Sequence, residues 1–168
     1  MRYVDEVQAY SPKLGGQGGY KDFAYIYAEP MTTWSKMRLK GCQEAIAKGG
    51  GTLREIGISK SKSLEHQVTK VAKEVRAILA ENDVIGVNVI QCLQKMQLRV
   101  PADVAVFGCD NLAVGAECKP GLSTIDVPAH RIGEIAGDLL RNLVSGELAF
   151  GNLHVPGKLI LRRSCGCK

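Results

Sequence analysis

Residues 100–128 read VPADVAVFGCDNLAVGAECKPGLSTIDVP, and their reading decides the fold. In DVAVFG, residues 103–108, the apolar and β-branched run is too short for a helix. Pro101 bars a helix before it and Gly108 ends it sharply, so a buried strand is expected. Cys109, Asp110 and Asn111 then emerge at the carboxyl edge of that strand, and residues 123–127 supply a second short one. In open α/β sheets ligands gather at the carboxyl ends of strands, and a carboxylate beside an amide there suits a polar, hydroxyl-bearing small molecule. Asp and Asn are also good turn formers in their own right, and spacing alone leaves both readings open.

Upstream, residues 23–27 read as a strand and Glu29-Pro30 as a turn. Thr33 or Ser35 can cap a helix that runs to about Lys48, where three glycines, Gly49 to Gly51, stop it. A second strand is expected over 52–58, and a helix over 64–73. Leu64, Val68, Val71, Val75, Ile78 and Leu79 would also suit one long helix, and periodicity does not separate that from a strand over 75–80. Asp83 is a candidate cap for a helix over 84–96. Further on, Ile132, Ile135, Ala136, Leu139, Leu140 and Leu143 recur at helical spacing until Gly146, which makes this the clearest amphipathic helix in the chain. A last strand is expected over 158–163. The alternation of strands and helices implies an α/β fold, a mostly parallel sheet flanked by helices.

The 168 residues, 45% of them hydrophobic, suffice for one core. A net charge of +5 is modest, and Lys60, Lys62, Lys70, Lys73 and the Arg162-Arg163 pair are dispersed rather than clustered as a nucleic-acid face requires. No apolar run approaches the roughly 18 residues of a membrane span, and Asp5 and Glu6 interrupt any signal-like start, so a cytoplasmic protein is expected. Leu14 to Gly19 is glycine-rich punctuation; it lacks the preceding strand of a dinucleotide loop and the Lys-Ser/Thr pair of a Walker loop. The six cysteines fall mostly inside expected helices and strands and read as reduced thiols. Cys165-Gly-Cys167 has no second pair of ligands nearby, and His66, His130 and His154 lie far apart without an acid at catalytic spacing. No metal, no cofactor and no enzymatic activity are therefore expected. Cys109 is read as a small apolar filler rather than a nucleophile.

The segments VPADVAVFGCDN (100–111), KPGLSTIDVPAHRIGEIAGDLLRNLVSGE (119–147) and VPGKLILRRS (155–164) follow FAYIY (23–27), MRLKGCQEAIAKGG (37–50) and AILAENDVIGVNVIQCLQKMQLRVP (77–101). In this order they resemble the effector-binding domain of lactose/galactose-repressor-type (LacI/GalR) transcriptional regulators, from about Tyr20 to Ser164. The resemblance implies a periplasmic-binding-protein-like fold of type I, represented by its second subdomain plus the 132–143 helix, which in that fold belongs to the first. It favours the strand over 75–80. It divides the chain into an irregular tail (1–19), a partial effector-binding domain (20–164) and a short carboxyl-terminal tail (165–168), with no DNA-binding head.

By position, Arg38 of MRLKG, Asn82 of AEND and Asp110 of GCDN match places where that family contacts its effector. A forked cationic donor, an amide and a charged acceptor together suit vicinal sugar hydroxyls. Each has a plainer reading: Arg38 as an exposed helix residue, Asn82 as a turn former. Trp34 can stack on a sugar ring or fill the core, and core filling carries more weight. Val127, Ala129 and Ser59 depart from the polar or aromatic groups that often complete the family's pocket. The implied function is the sensing of a sugar or other polar small molecule by a transcriptional regulator, as a homodimer that reaches DNA only through a head absent from this chain, with no membrane association. The alternatives are a sugar-binding module of transport type, or a fragment that uses its amphipathic helix to pair with a full-length regulator.

Overall fold

The computed structural model describes residues 20–146 and 153–166. The expected tail at 1–19 and the last two residues of the carboxyl-terminal tail lie outside the described residues. In chain order the elements are β1 (Asp22–Ala28), α1 (Thr33–Lys48), β2 (Thr52–Ile58), α2 (Leu64–Val71), β3 (Ala77–Ala80), α3 (Asp83–Lys95), β4 (Ala105–Phe107), α4 (Ala113–Glu117), β5 (Thr124–Asp126), α5 (Ala129–Val144), β6 (Lys158–Ile160) and a 3-10 turn at Arg163–Cys165.

Four strands form a parallel sheet in the order β2-β1-β3-β4. Ile26 of β1 lies opposite Ile56 on one side and Ala80 on the other, and Leu79 of β3 lies opposite Phe107. The chain then continues the sheet through a single parallel bridge from Phe107 to Ser123, and β5 pairs antiparallel with β6. The α/β architecture thus follows from the strand-helix alternation. β3, the tetrapeptide AILA, is buried at every residue. A central parallel strand is covered on both faces and so reads as an unbroken apolar run, which is why its pattern also fitted the end of a helix.

Alternation along the strands splits the core in two. Ala24, Ile26, Ile78, Ala80 and Val106 face α2 and α3, meeting Val68, Val71, Val89, Ile90 and Leu93. Phe23, Tyr25, Leu79 and Phe107 face the other way, against Leu39, Cys42 and Ile46 of α1 and Cys165 of the 3-10 turn. Each large aliphatic side chain so buried contributes about 1.5–3 kcal/mol relative to exposure.

Several local expectations need correction. The cap of α1 is Thr32, not Thr33 or Ser35: its Oγ1 accepts from Ser35 N at 3.1 Å. The cap of α3 is Asn82, not Asp83: Asn82 Oδ1 accepts from Ile85 N at 2.9 Å. In both caps the oxygen lies three residues ahead of the amide from which it accepts, and the capping residue has the extended backbone that allows it. Asp83 stands instead inside the first turn of α3 and is fully buried. The last strand ends at Ile160 because Ser164 turns the chain inward, donating from Oγ to Val106 O at 2.6 Å and accepting from Ser123 N at 2.8 Å. The segment between β4 and β5, for which no element was expected, contains the five-residue α4. None of the residues of α5 is buried, and Ile132, Leu140, Leu143 and Val144 are exposed.

At Gly108 an added methyl would collide with Asp83 Oδ1 and lie 2.8 Å from Leu122 Cδ2. Gly108→Ala is therefore expected to destabilise the fold by about 1–3 kcal/mol in chemical denaturation followed by circular dichroism. Gly133 of α5 has nothing within 4 Å of such a methyl, so Gly133→Ala should be neutral or stabilising by up to about 1 kcal/mol.

Candidate ligand site at the carboxyl edge of the sheet

Because the four strands of the main sheet are parallel, the segments that follow them open on one edge. Glu29 follows β1, Glu81 and Asn82 follow β3, and residues 108–111 follow β4. The amino-terminal half of α1 lies over this edge and delivers Arg38 to it. Arg38 Nη2 donates to Asp110 Oδ1 at 2.7 Å across 72 residues of sequence, and Nη1 donates to the Glu81 carbonyl at 2.8 Å. Arg38 and Asp110 are thus in contact, with Asn82 next in chain to the carbonyl that Arg38 holds. Asn82 spends Oδ1 on capping α3, and its amide nitrogen is the end that the cap does not use.

Trp34 does not fill the core; it is 73% exposed. The buried stripe of α1 runs through Ser35, Leu39, Cys42 and Ile46, and Trp34 falls off that stripe, one turn before Arg38 on the same side of the helix. Its indole face is open beside the edge.

Four residues that hold the site, Ser35, Glu81, Asp83 and Arg162, were not read from the sequence as site residues. Glu81 accepts from Ala28 N at 2.8 Å and from the hydroxyl of buried Ser35, so one carboxylate ties the ends of β1 and β3 to the start of α1. Its position directly after a buried strand, like that of Asp110 after β4, was the available signal. Asp83 accepts from Thr124 Oγ1 at 2.6 Å and from Leu112 N at 2.7 Å. Burial raises its pKa, and those two hydrogen bonds oppose the rise. Arg162 donates to the Leu122 carbonyl and to Asn111 Oδ1, both at 2.7 Å.

The loop between Arg38 and Arg162 is conformationally strained. Asp110 has φ 102° and Asn111 φ 51°, a region costly for a residue with a Cβ and tolerated best by Asn and Asp. Asp110 N donates to Ile125 O at 2.9 Å, which keeps the loop in place. Cys109, between strand and loop, is 2% exposed, and burial pushes its thiol up to about 12 against the opposing effect of Arg38. It is a neutral filler at physiological pH, not an activated nucleophile.

Val127, past β5, is half-buried and offers the edge no polar group. A cavity of about 490 Å³ lies elsewhere, among Cys118, Lys119, Arg162 and Arg163, and reaches neither Arg38 nor Asp110. At the edge a forked donor meets a carboxylate, with the Asn82 amide and the exposed Trp34 ring carried on the adjoining segments. Such a set can hold adjacent hydroxyls and cover one face of a ring. The side chains of Arg38 and Asp110 are 27% and 32% exposed, so their mutual attraction is worth no more than about 1 kcal/mol and is open to exchange for a ligand.

Residues 16–165 match the family of periplasmic binding protein-like domains. The chain belongs to that family, in the form found in LacI-type transcriptional regulators. The lactose operon repressor of Rhizobium radiobacter is 34% identical over 66% of this chain and 94% of its own length. The HTH-type transcriptional regulator KdgR of Bacillus subtilis is 28% identical over 87% of this chain and 46% of its own length, so the chain spans less than half of that relative. Among solved structures, a LacI family transcriptional regulator from Arthrobacter sp. FB24 superposes with a TM-score of 0.78 at 25% identity, over 98% of this chain and 63% of that one. Among the described residues no helix is long and apolar enough to cross a membrane.

Asp110→Gly removes a half-exposed ion pair and relieves the backbone at φ 102°. The two effects oppose each other, and thermal unfolding is expected to show a net change within about 1 kcal/mol of the parent.

Proposed function

We propose that this chain is the effector-sensing part of a LacI-type transcriptional regulator. Its effector is a sugar or another polar small molecule held where Arg38, Asn82 and Asp110 meet, with the open face of Trp34 against the ring. The observation that carries the reading is the Arg38–Asp110 bridge at the carboxyl edge of the sheet. Its two partners supply the donor fork and the charged acceptor that adjacent hydroxyls require, and they are exposed enough for a ligand to separate them. The name of the Rhizobium relative, a lactose operon repressor, supports a sugar over other polar ligands.

In this reading the protein is not an enzyme and needs neither metal nor cofactor. Effector binding between this lobe and another shifts their closure, and the shift alters the spacing of DNA-binding heads in a cytoplasmic homodimer. DNA is reached only through such a head. The residues described here serve as sensor.

Thermal unfolding of the purified chain against pentoses, hexoses, lactose, sugar phosphates and purines tests the assignment. A ligand present at about 100 times its Kd stabilises the folded state by about 2.7 kcal/mol. A ligand-specific rise in Tm is expected in the parent, absent in Asp110→Ala and diminished in Arg38→Ala. A cooperative melt that no compound shifts would remove the sensing role from this chain.

A further inference from the structure

Tyr25 lies in the middle of β1, fully buried, with Leu79 of β3 beside it in the sheet and Leu39 and Cys42 of α1 in the same core cluster. Its ring is tilted against that of Tyr27, centroid to centroid 6.2 Å. Its hydroxyl is the one buried side-chain polar atom among the described residues with no hydrogen-bond partner. Phenylalanine would fill this space without burying a hydroxyl, so packing does not account for the oxygen.

The hydroxyl lies within electrostatic reach of Cys42, Glu81, Arg38 and Cys109, three of which belong to the edge where Arg38 bridges Asp110. Burial, reinforced by Cys42 and Glu81, holds its proton well above the ordinary tyrosine range, so it remains a donor at neutral pH. At that edge Arg38 holds the Glu81 carbonyl and the Asp110 carboxylate, and Glu81 holds Ser35 and Ala28 N. Those groups are satisfied by one another. Tyr25 is not, and two members of that network, Arg38 and Glu81, act on its hydroxyl electrostatically.

Resting on the sensing role proposed above, we infer that Tyr25 is a specificity-determining residue of this site: its hydroxyl is the floor contact for an oxygen of the effector, reached when the ligand parts Arg38 from Asp110. The site then reads a ligand at two depths. Arg38 and Asp110 take adjacent hydroxyls at the rim, and Tyr25 takes one acceptor below them. Binding supplies the hydrogen bond that the free protein lacks.

Tyr25→Phe in the full chain separates this from a structural role, with lactose and D-ribose as the probes. Without ligand, the variant should melt at the same temperature as the parent or higher, because a buried hydroxyl without a partner has been removed. With ligand, the concentration giving half the maximal Tm shift should rise about three- to tenfold, the loss of one neutral hydrogen bond. A lower Tm for the ligand-free variant would show that the hydroxyl is already satisfied inside the protein, and would overturn the inference. So would a ligand response equal to that of the parent. If neither sugar shifts the parent, the sensing role fails for those sugars and the inference about Tyr25 falls with it, whereas a lower ligand-free Tm in Tyr25→Phe overturns the inference about Tyr25 alone.

Discussion

The buried carboxylate of Asp83 is the constraint on which the rest of the arrangement depends. It stands in the first turn of α3, yet its oxygens are bound from two other elements, Thr124 of β5 and the amide of Leu112 ahead of α4. Its own amide donates to Cys109 O at 2.8 Å. One residue thereby fixes α3, β4, α4 and β5 relative to one another. The glycines at 108 and 115 exist to let it in, since a side chain at either would press on its carboxylate. Burial raises the pKa of this group, so its folded form favours the proton. The part of stability that comes from that preference is present below the ordinary aspartate pKa and is lost as pH rises through the raised value. The hydrogen bonds from Thr124 and Leu112 act the other way and favour the charged form.

Above that knot lies a second layer, centred on Glu81. Its carboxylate gathers Ala28 N and Ser35, and its carbonyl receives Arg38. The first layer places the loop that carries Asp110; the second places the helix that carries Arg38. Their meeting at 2.7 Å is the product of two independently anchored halves, which is why residues 72 positions apart form a defined pair.

The fold was largely legible in the sequence because its signals are local. β2 is bounded by Gly51 and by the turn after Ile58, and its expected limits of 52–58 are those observed. Both helix caps were missed by small steps because Thr32-Thr33 and Asn82-Asp83 each place two cap-forming residues side by side, and only backbone geometry chooses between them. α4 was invisible because five residues do not fill two turns. Trp34 was misjudged because residue type argued for burial, whereas the helical register of α1 turns it outward. Arg38 was reached through family resemblance and Asp110 also through its place at the end of a strand, but nothing in the sequence announced that the two pair. The roles of Ser35, Asp83 and Arg162 at the site were not legible, since they arise from partners up to 51 residues away, whereas Glu81 was marked only by its place directly after a buried strand.

The loop from Cys109 to Leu112 is gripped by a guanidinium at each side, Arg38 on Asp110 and Arg162 on Asn111. A segment already immobilised has little conformational freedom left to lose when a small molecule arrives. In the sensing role proposed for this chain, recognition at this edge is consequently a matter of exchanging one set of hydrogen bonds for another on a rigid template, and its selectivity follows from stereochemical match more than from adaptive closure of the loop itself.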